Sequence, residues 1–182
     1  MTWVLPPEIL LRTFGTEVSD LQTDGDIDSQ MREVQMSLPI FRGVSPTLAE
    51  FNPILREKIR AGVDLYKHEI RSIVRDSVVY HHTPLTEYLE QSPWVVLEYG
   101  SPDRSRGVAA LFRTSGFEDP VYHFMPRGLD ASGRYKVTFQ SRGETVEMSG
   151  IQLMQQGIPV RLETAGTSEI LIFESVAAAK SH

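Results

Sequence analysis

Three aspartates near the start of the chain have a spacing that calcium loops use. Asp24, Asp26 and Asp28 alternate with other residues, as the first oxygen ligands of an EF-hand loop do. That loop also needs a glycine where Ser29 stands and a bidentate glutamate where Gln35 stands. The spacing therefore predicts a solvated loop with a helix cap, and no metal site is assigned to it.

Two adjacent histidines, His81 and His82, are the next candidates for metal binding. Adjacent side chains point in different directions on most backbones, so a zinc ion would need a further ligand such as His68 or Glu69. The sequence favours a simpler interpretation, in which both imidazoles lie near backbone carbonyls at the end of a helix.

Charged and aromatic residues in the second half suggest a sugar or anion site. Glu98, Asp103, Arg104 and Arg106 surround the turn YGSPDRSRG, where the arginines could hold an anion or sugar hydroxyls, although such charges more often solvate a hairpin. Aromatic rings could also stack on sugars, but rings at alternate strand positions are more often core residues or cross-strand pairs. The rings in question are those of Trp94, Tyr99, Tyr122 and Tyr135.

No complete catalytic motif accompanies these residues. Glycoside hydrolysis needs two carboxylates about 5–10 Å apart on a rigid scaffold, and no Asp or Glu here lies in a recognisable catalytic setting. A G-x-S-x-G nucleophile motif and a glycine-rich phosphate loop are both absent from the sequence. The sequence alone therefore assigns no catalytic, cofactor-binding or metal-binding residue.

The elements that hold these residues differ between the two halves of the chain. The first half predicts helices, a short one over Glu8–Phe14 and a long amphipathic one from Pro53 to about Val79. The second half predicts the strands of an antiparallel β-sandwich, because short apolar runs alternate with Gly, Pro, Ser or Asp. The runs are WVVLEYGS, RGVAALFRTS, PVYHFMPRG, GRYKVTFQS, ETVEMSG, PVRLETAG and SEILIFE. The predicted fold class is α+β.

Length and composition set further bounds. The 182 residues fit one domain or two small ones, and a hydrophobic fraction of 41% allows a real core. A net charge of -6 argues against nucleic acid as a partner, and the lack of cysteine excludes disulfides and thiolate chemistry. The start, MTWVLPPEILLRTFG, does not look like a signal peptide, and no stretch is apolar enough to cross a membrane. A cytoplasmic location is expected if Met1 is the true start.

Four segments in order carry a resemblance to a known family. They are YKHEIRSIVRDSVVYHHTPL, WVVLEYGSPDRSRGVAALFR, PRGLDASGRYKVTF and SGIQLMQQGIPVRL. Together they resemble the C-terminal end of glycoside hydrolase family 36, the bacterial α-galactosidases, over roughly residues 45–174. The most specific part is the pair G-L-D and S-G-x-x-L-M-x-x-G at this spacing.

The resemblance implies a (β/α)8 barrel followed by an antiparallel β-sandwich. On this basis residues 1–83 are expected to be a helical remnant of the barrel's end, 84–92 a linker, 93–176 the sandwich and 177–182 a frayed tail. The family's nucleophile is an aspartate in a K-x-D segment, and its acid/base aspartate follows a Cys- and Gly-rich segment. No lysine here has an aspartate two positions later, and there is no cysteine. The resemblance thus implies a chain that is inactive alone.

The expected partner is a carbohydrate, an α-galactoside, bound by the parent enzyme, and no cofactor is expected. Helices that cover a missing barrel would expose apolar faces, which predicts self-association or association with a barrel-bearing chain. Two alternatives stay open. The sandwich could be a non-catalytic carbohydrate-binding module, or the chain could be a protein-interaction module with the long helix as docking surface.

Overall fold

The computed structural model describes residues 11–14, 40–44, 53–83, 92–114 and 119–176. The chain divides into two compact units, Met1–Asp76 and Ser77–His182. The domain limits expected from the resemblance stay a prediction, and part of the expected linker, 84–91, lies outside the described residues. None of the helices in the described ranges has the length and hydropathy that a membrane span requires.

The first unit contains strands as well as helices. Strands β1 (Leu11–Phe14) and β2 (Ile40–Val44) pair in parallel. The short helix predicted over Glu8–Phe14 is therefore wrong where the structure describes it. That prediction used local signals from proline and glycine, whereas a parallel pair depends on a partner far along the chain.

The long predicted helix forms but ends early. Helix α1 (Pro53–Leu65) continues through a π-helical turn, Tyr66–Ile70, into helix α2 (Arg71–Val74). The predicted apolar face is confirmed at its C-terminal end, where Tyr66, Ile70, Ile73 and Val74 are buried. The helix stops before Val79 because Val78–His81 is a strand, and β-branched and aromatic residues suit a strand that has a neighbour to pair with.

The second unit is built on a six-stranded antiparallel sheet. The strands of this unit are β3 (Val78–His81), β4 (Trp94–Gly100), β5 (Arg106–Arg113), β6 (Val121–Phe124), β7 (Arg134–Phe139), β8 (Glu144–Ser149), β9 (Ile158–Arg161) and β10 (Thr167–Ser175). The large sheet has the spatial order β3-β4-β5-β10-β7-β8, and a separate antiparallel pair, β6-β9, forms a second small sheet. Helix α3 (Gly150–Gln156) follows β8 directly.

All seven predicted apolar runs contain a strand, and the antiparallel β class of this half is confirmed. Alternate residues of the large sheet, such as Val96, Leu111 and Leu171, enter one hydrophobic core with Phe124 and Leu153. The other face of the central strands is also buried, which explains why these strands read as nearly continuous apolar runs. Its buried residues include Tyr99, Val108, Ala110, Ile170 and Ile172.

Candidate functional site

Glu98 on β4 is the most deeply buried of the charged residues that the structure describes in the second unit, with 0% exposure. Its Oε2 lies 2.6 Å from Nε2 of His82 and accepts the backbone N–H of Arg127 at 2.9 Å. Its Oε1 accepts the backbone N–H of Gly128 at 2.8 Å. We call this group the Glu98 site: the carboxylate of Glu98, the imidazole of His82 and the two N–H groups of Arg127 and Gly128.

His82 and His81 belong to the end of a strand, so their predicted place at a helix end is wrong. His81 is the last residue of β3, and the ring of His82 packs 4.8 Å from that of Phe124. Burial lowers the pKa of His81, and the neighbouring His82 lowers it further. The described residues contain no group of three His, Cys, Asp or Glu side chains that could hold a metal ion.

Gly128 is a glycine because the backbone passes close to its neighbours on three sides. A Cβ there would lie 3.0 Å from Oε1 of Glu98, 3.0 Å from Cα of Gly100 and 3.1 Å from the ring of Tyr80. Any side chain would therefore push the loop away from the carboxylate that binds it. The G-L-D motif marked Gly128 in the sequence. The sequence did not indicate that Glu98 contacts this glycine, because Glu98 was grouped with the charged residues of the turn that follows β4.

Residues 126–133 form a loop, which we call the 126–133 loop. Beyond Gly128, this loop is held in place by contacts of Leu129, Asp130 and Tyr135. Leu129 is fully buried in the core. The hydroxyl of Tyr135 accepts the N–H of Asp130 at 2.8 Å and donates to the carbonyl of Arg104 at 2.7 Å. Burial raises the pKa of Tyr135, so this hydroxyl keeps its proton and continues to bridge the two loops.

The second family motif, S-G-x-x-L-M-x-x-G, forms helix α3 and its two ends. The hydroxyl of Ser149 accepts the N–H of Gln152, and the Gln152 side chain accepts the N–H of Ser149, which is a capping box. Leu153 enters the core, and Gly157 ends the helix with a positive φ of 73°. Ser149, Leu153 and Gly157 of the motif thus each have a structural role.

The turn after β4 is organised by Asp103. Its Oδ1 accepts the hydroxyl of Ser101 at 2.6 Å and both the N–H and hydroxyl of Ser105, at 3.0 and 2.8 Å. Arg104 takes a positive φ of 58°, and Arg106 forms an ion pair with Glu174 at 3.7 Å. These contacts agree with the expectation of a solvated hairpin, and they pair Arg106, one of the two arginines considered for anion binding, with a carboxylate.

Hydrogen bonds from Ser101 and Ser105 lower the pKa of Asp103 from 3.8 to about 2. A carboxyl whose pKa falls on folding stabilises the folded state above its unfolded pKa, and that contribution is lost as the pH falls toward 2. We expect Asp103→Asn to lower the Tm at neutral pH, and the difference from wild type to shrink between pH 3.8 and 2. Thermal unfolding at a series of pH values measures this, and a difference that stays constant over this interval would contradict it.

The four aromatic residues considered for sugar stacking do not form an exposed platform. Trp94, Tyr99 and Tyr135 are buried, and the half-buried Tyr122 packs against Trp94 with ring centroids 5.5 Å apart. Among the residues whose side chains the structure describes, no Trp, Tyr or Phe is exposed. Asp24, Asp26 and Asp28, the calcium-loop candidates, lie outside the described residues.

The chemistry that the Glu98 site can perform follows from its hydrogen bonds. Both carboxylate oxygens accept hydrogen bonds from buried or half-buried donors, and the carboxylate has no exposure. A general acid or base must reach its substrate within hydrogen-bond distance. Glu98 is therefore placed to hold backbone in position, and not to exchange a proton with a sugar.

Taken together, the large antiparallel sheet, the small second sheet and the buried loop motifs define a β domain of the sandwich class. Residues 94–173 match the family described as Glycosyl hydrolase family 36 C-terminal domain. This match confirms the resemblance to the C-terminal part of family 36 that the sequence motifs carry. No curated protein matches the chain by sequence.

Several solved α-galactosidases share the fold. A variant of AgaA from Geobacillus stearothermophilus in complex with stachyose aligns with a TM-score of 0.72 and 16% identity, over 94% of this chain and 22% of that one. An AgaA variant in complex with raffinose gives 0.64 and 17%, over 81% and 19%. The α-galactosidase of Lactobacillus brevis gives 0.66 and 17%, over 84% and 20%. The chain thus spans about a fifth of the length of these enzymes.

Proposed function

We propose that this chain is the C-terminal part of an α-galactosidase-like glycoside hydrolase that acts on α-galactosides. The observation that carries the proposal is the family match over residues 94–173, in a chain whose fold follows family 36 enzymes over 81–94% of its length. Related enzymes have been crystallised with raffinose and stachyose. Oligosaccharides with a terminal α-galactose are accordingly the substrate class proposed for the parent enzyme.

The first unit supports the same proposal. The repeating unit of a (β/α)8 barrel is one strand followed by one helix, and neighbouring strands of the barrel pair in parallel as β1 and β2 do. We infer that the first unit, Met1–Asp76, derives from the end of the catalytic barrel, as β1, β2 and α1 suggest, whereas β3 belongs to the sheet of the second unit. A barrel closes only when all its strands pair, so this unit favours a barrel-bearing chain, or a second copy, as partner.

The role proposed for the second unit is to stabilise the parent enzyme and not to catalyse. Its one fully buried glutamate on β4 is committed to backbone N–H groups, and the family's K-x-D segment is absent from the sequence. The buried rings of Trp94, Tyr99 and Tyr135 disfavour a carbohydrate-binding module that stacks on sugars.

The purified chain is expected to release no p-nitrophenol from p-nitrophenyl α-galactoside above the rate in buffer, because it carries neither catalytic motif. A full-length family 36 α-galactosidase is the positive control. Release that increases in proportion to the chain's concentration would contradict this expectation. Calorimetric titration with raffinose and stachyose completes the test, since saturable binding without hydrolysis would favour the carbohydrate-binding alternative.

A further inference from the structure

The Glu98 site is not used by the proposed function, yet it places a carboxylate with 0% exposure inside an apolar core. Burying an ionised carboxylate is costly unless hydrogen bonds replace the water that it loses. Here the donors are His82 at 2.6 Å and the N–H groups of Arg127 and Gly128 at 2.9 and 2.8 Å. Such charge-assisted bonds are roughly twice as strong as neutral ones.

We propose that the Glu98 carboxylate acts as an internal ligand for the backbone of the 126–133 loop, and that this binding keeps the edge strand β3 paired with β4. We call the Glu98 site, together with its contacts to β3 and to the 126–133 loop, the latch. It determines whether the segment that enters the second unit, beginning at Ser77, is held on the sheet.

The loop side of the latch resembles an anion-binding site. Successive backbone N–H groups that converge on one point form a nest, which binds anions in many proteins. The N–H groups of Arg127 and Gly128 converge in this way on one carboxylate. Because the anion is a side chain of the neighbouring strand, the nest fixes the loop against β4 without any bound ion.

The strand side of the latch consists of three contacts to β3 and the residue after it. Nε2 of His82 pairs with Glu98, Nη1 of Arg127 lies 3.5 Å from the carbonyl of His81, and the ring of Tyr80 lies against Gly128. β3 has only four residues and one neighbouring strand in the sheet. Edge strands of this length open readily, so these extra contacts decide how often β3 leaves the sheet.

Amide hydrogen exchange of the full chain tests the proposal with Glu98→Ala and a matched control, Glu169→Ala. Glu169 is a second buried carboxylate, which accepts the N–H groups of Ser141 and Ile170 at 2.8 and 3.0 Å. We expect Glu98→Ala to accelerate exchange about tenfold or more at residues 126–130 and in β3, because buried amides lose their acceptor. In Glu169→Ala, exchange at residues 126–130 and in β3 should stay close to the wild-type rate. Any acceleration in this variant is expected in β10, which carries Glu169, and in its neighbour β5.

Acetate provides a second measurement, because it can occupy the nest that Glu98→Ala leaves empty. We expect acetate to slow exchange at residues 126–130 in this variant, and chloride at equal ionic strength to have a smaller effect. If Glu98→Ala does not fold, His82→Phe keeps an aromatic ring beside Phe124 and removes the bond to Glu98. Faster exchange confined to β3 is then expected.

Three results would overturn the proposal. The first is an equal increase in exchange at these segments in Glu98→Ala and Glu169→Ala, which would make Glu98 one core residue among others. The second is an identical effect of acetate and chloride on Glu98→Ala. The third is unchanged exchange of β3 in His82→Phe, which removes the strand-side bond to Glu98.

Discussion

Gly150→Ala is expected to unfold most of the second unit. A Cβ at this position would lie 1.9 Å from the carbonyl oxygen of Asp130 and 2.9 Å from its carbonyl carbon. Both atoms belong to backbone, so no side chain can rotate away, and the N–H of Gly150 is itself bonded to the carbonyl of Gly133 at 2.8 Å. We expect a loss of about 4 kcal/mol or more in the free energy of unfolding, a size reserved for severe steric conflicts. Urea denaturation measures it.

Gly166→Ala is the matched control for this prediction. Gly166 has a φ of +77°, and no atom lies within 4 Å of the position of its Cβ. Its substitution therefore introduces only backbone strain, which amounts to about 1–2 kcal/mol for a left-handed residue. If Gly150→Ala were no more destabilising than Gly166→Ala, the close packing of the α3 start on the 126–133 loop would be wrong.

The sequence predicted the second unit better than the first for a physical reason. Hydrophobic alternation and turn residues are local signals, and they were enough to locate the seven strands from β4 to β10. The pairing of β1 with β2 is not local, because it joins residues that are far apart in the sequence, such as Leu11 and Ile40. Helical spacing of apolar residues in the first unit therefore remained the dominant signal, and it extended α2 into β3.

The Glu98 site could not be predicted from local patterns, because its three partners are 16, 29 and 30 residues away along the chain. The neighbouring Ser-Pro-Asp turn predicts that Glu98 is solvated. The position of the two adjacent histidines after a predicted helix places them at the end of that helix. Only the pairing of β3 with β4 brings Tyr80 opposite Glu98 and places His82 beside the carboxylate. The family motif G-L-D signalled that the loop mattered, but it did not indicate which side chain binds it.

The family motifs themselves have an explanation in the folding of the domain. Gly128 allows the loop to reach Glu98, Leu129 fills the core, and Asp130 donates its N–H to the hydroxyl of Tyr135. The start of α3 then packs on the same loop through Gly150. The two motifs therefore form one set of contacts within the second unit.

Leu129→Ala is expected to destabilise the second unit by about 3 kcal/mol, as Leu-to-Ala changes in well-packed cores do when the surroundings cannot close the cavity. Leu129 has 0% exposure, and the loop that carries it is held at Glu98 on one side and at Tyr135 on the other. Ile151→Ala is the control, since Ile151 is 43% exposed and should change the free energy of unfolding by less than about 0.5 kcal/mol. Urea denaturation of both variants measures the difference. Equal effects would mean that the G-L-D motif does not carry its leucine into the core.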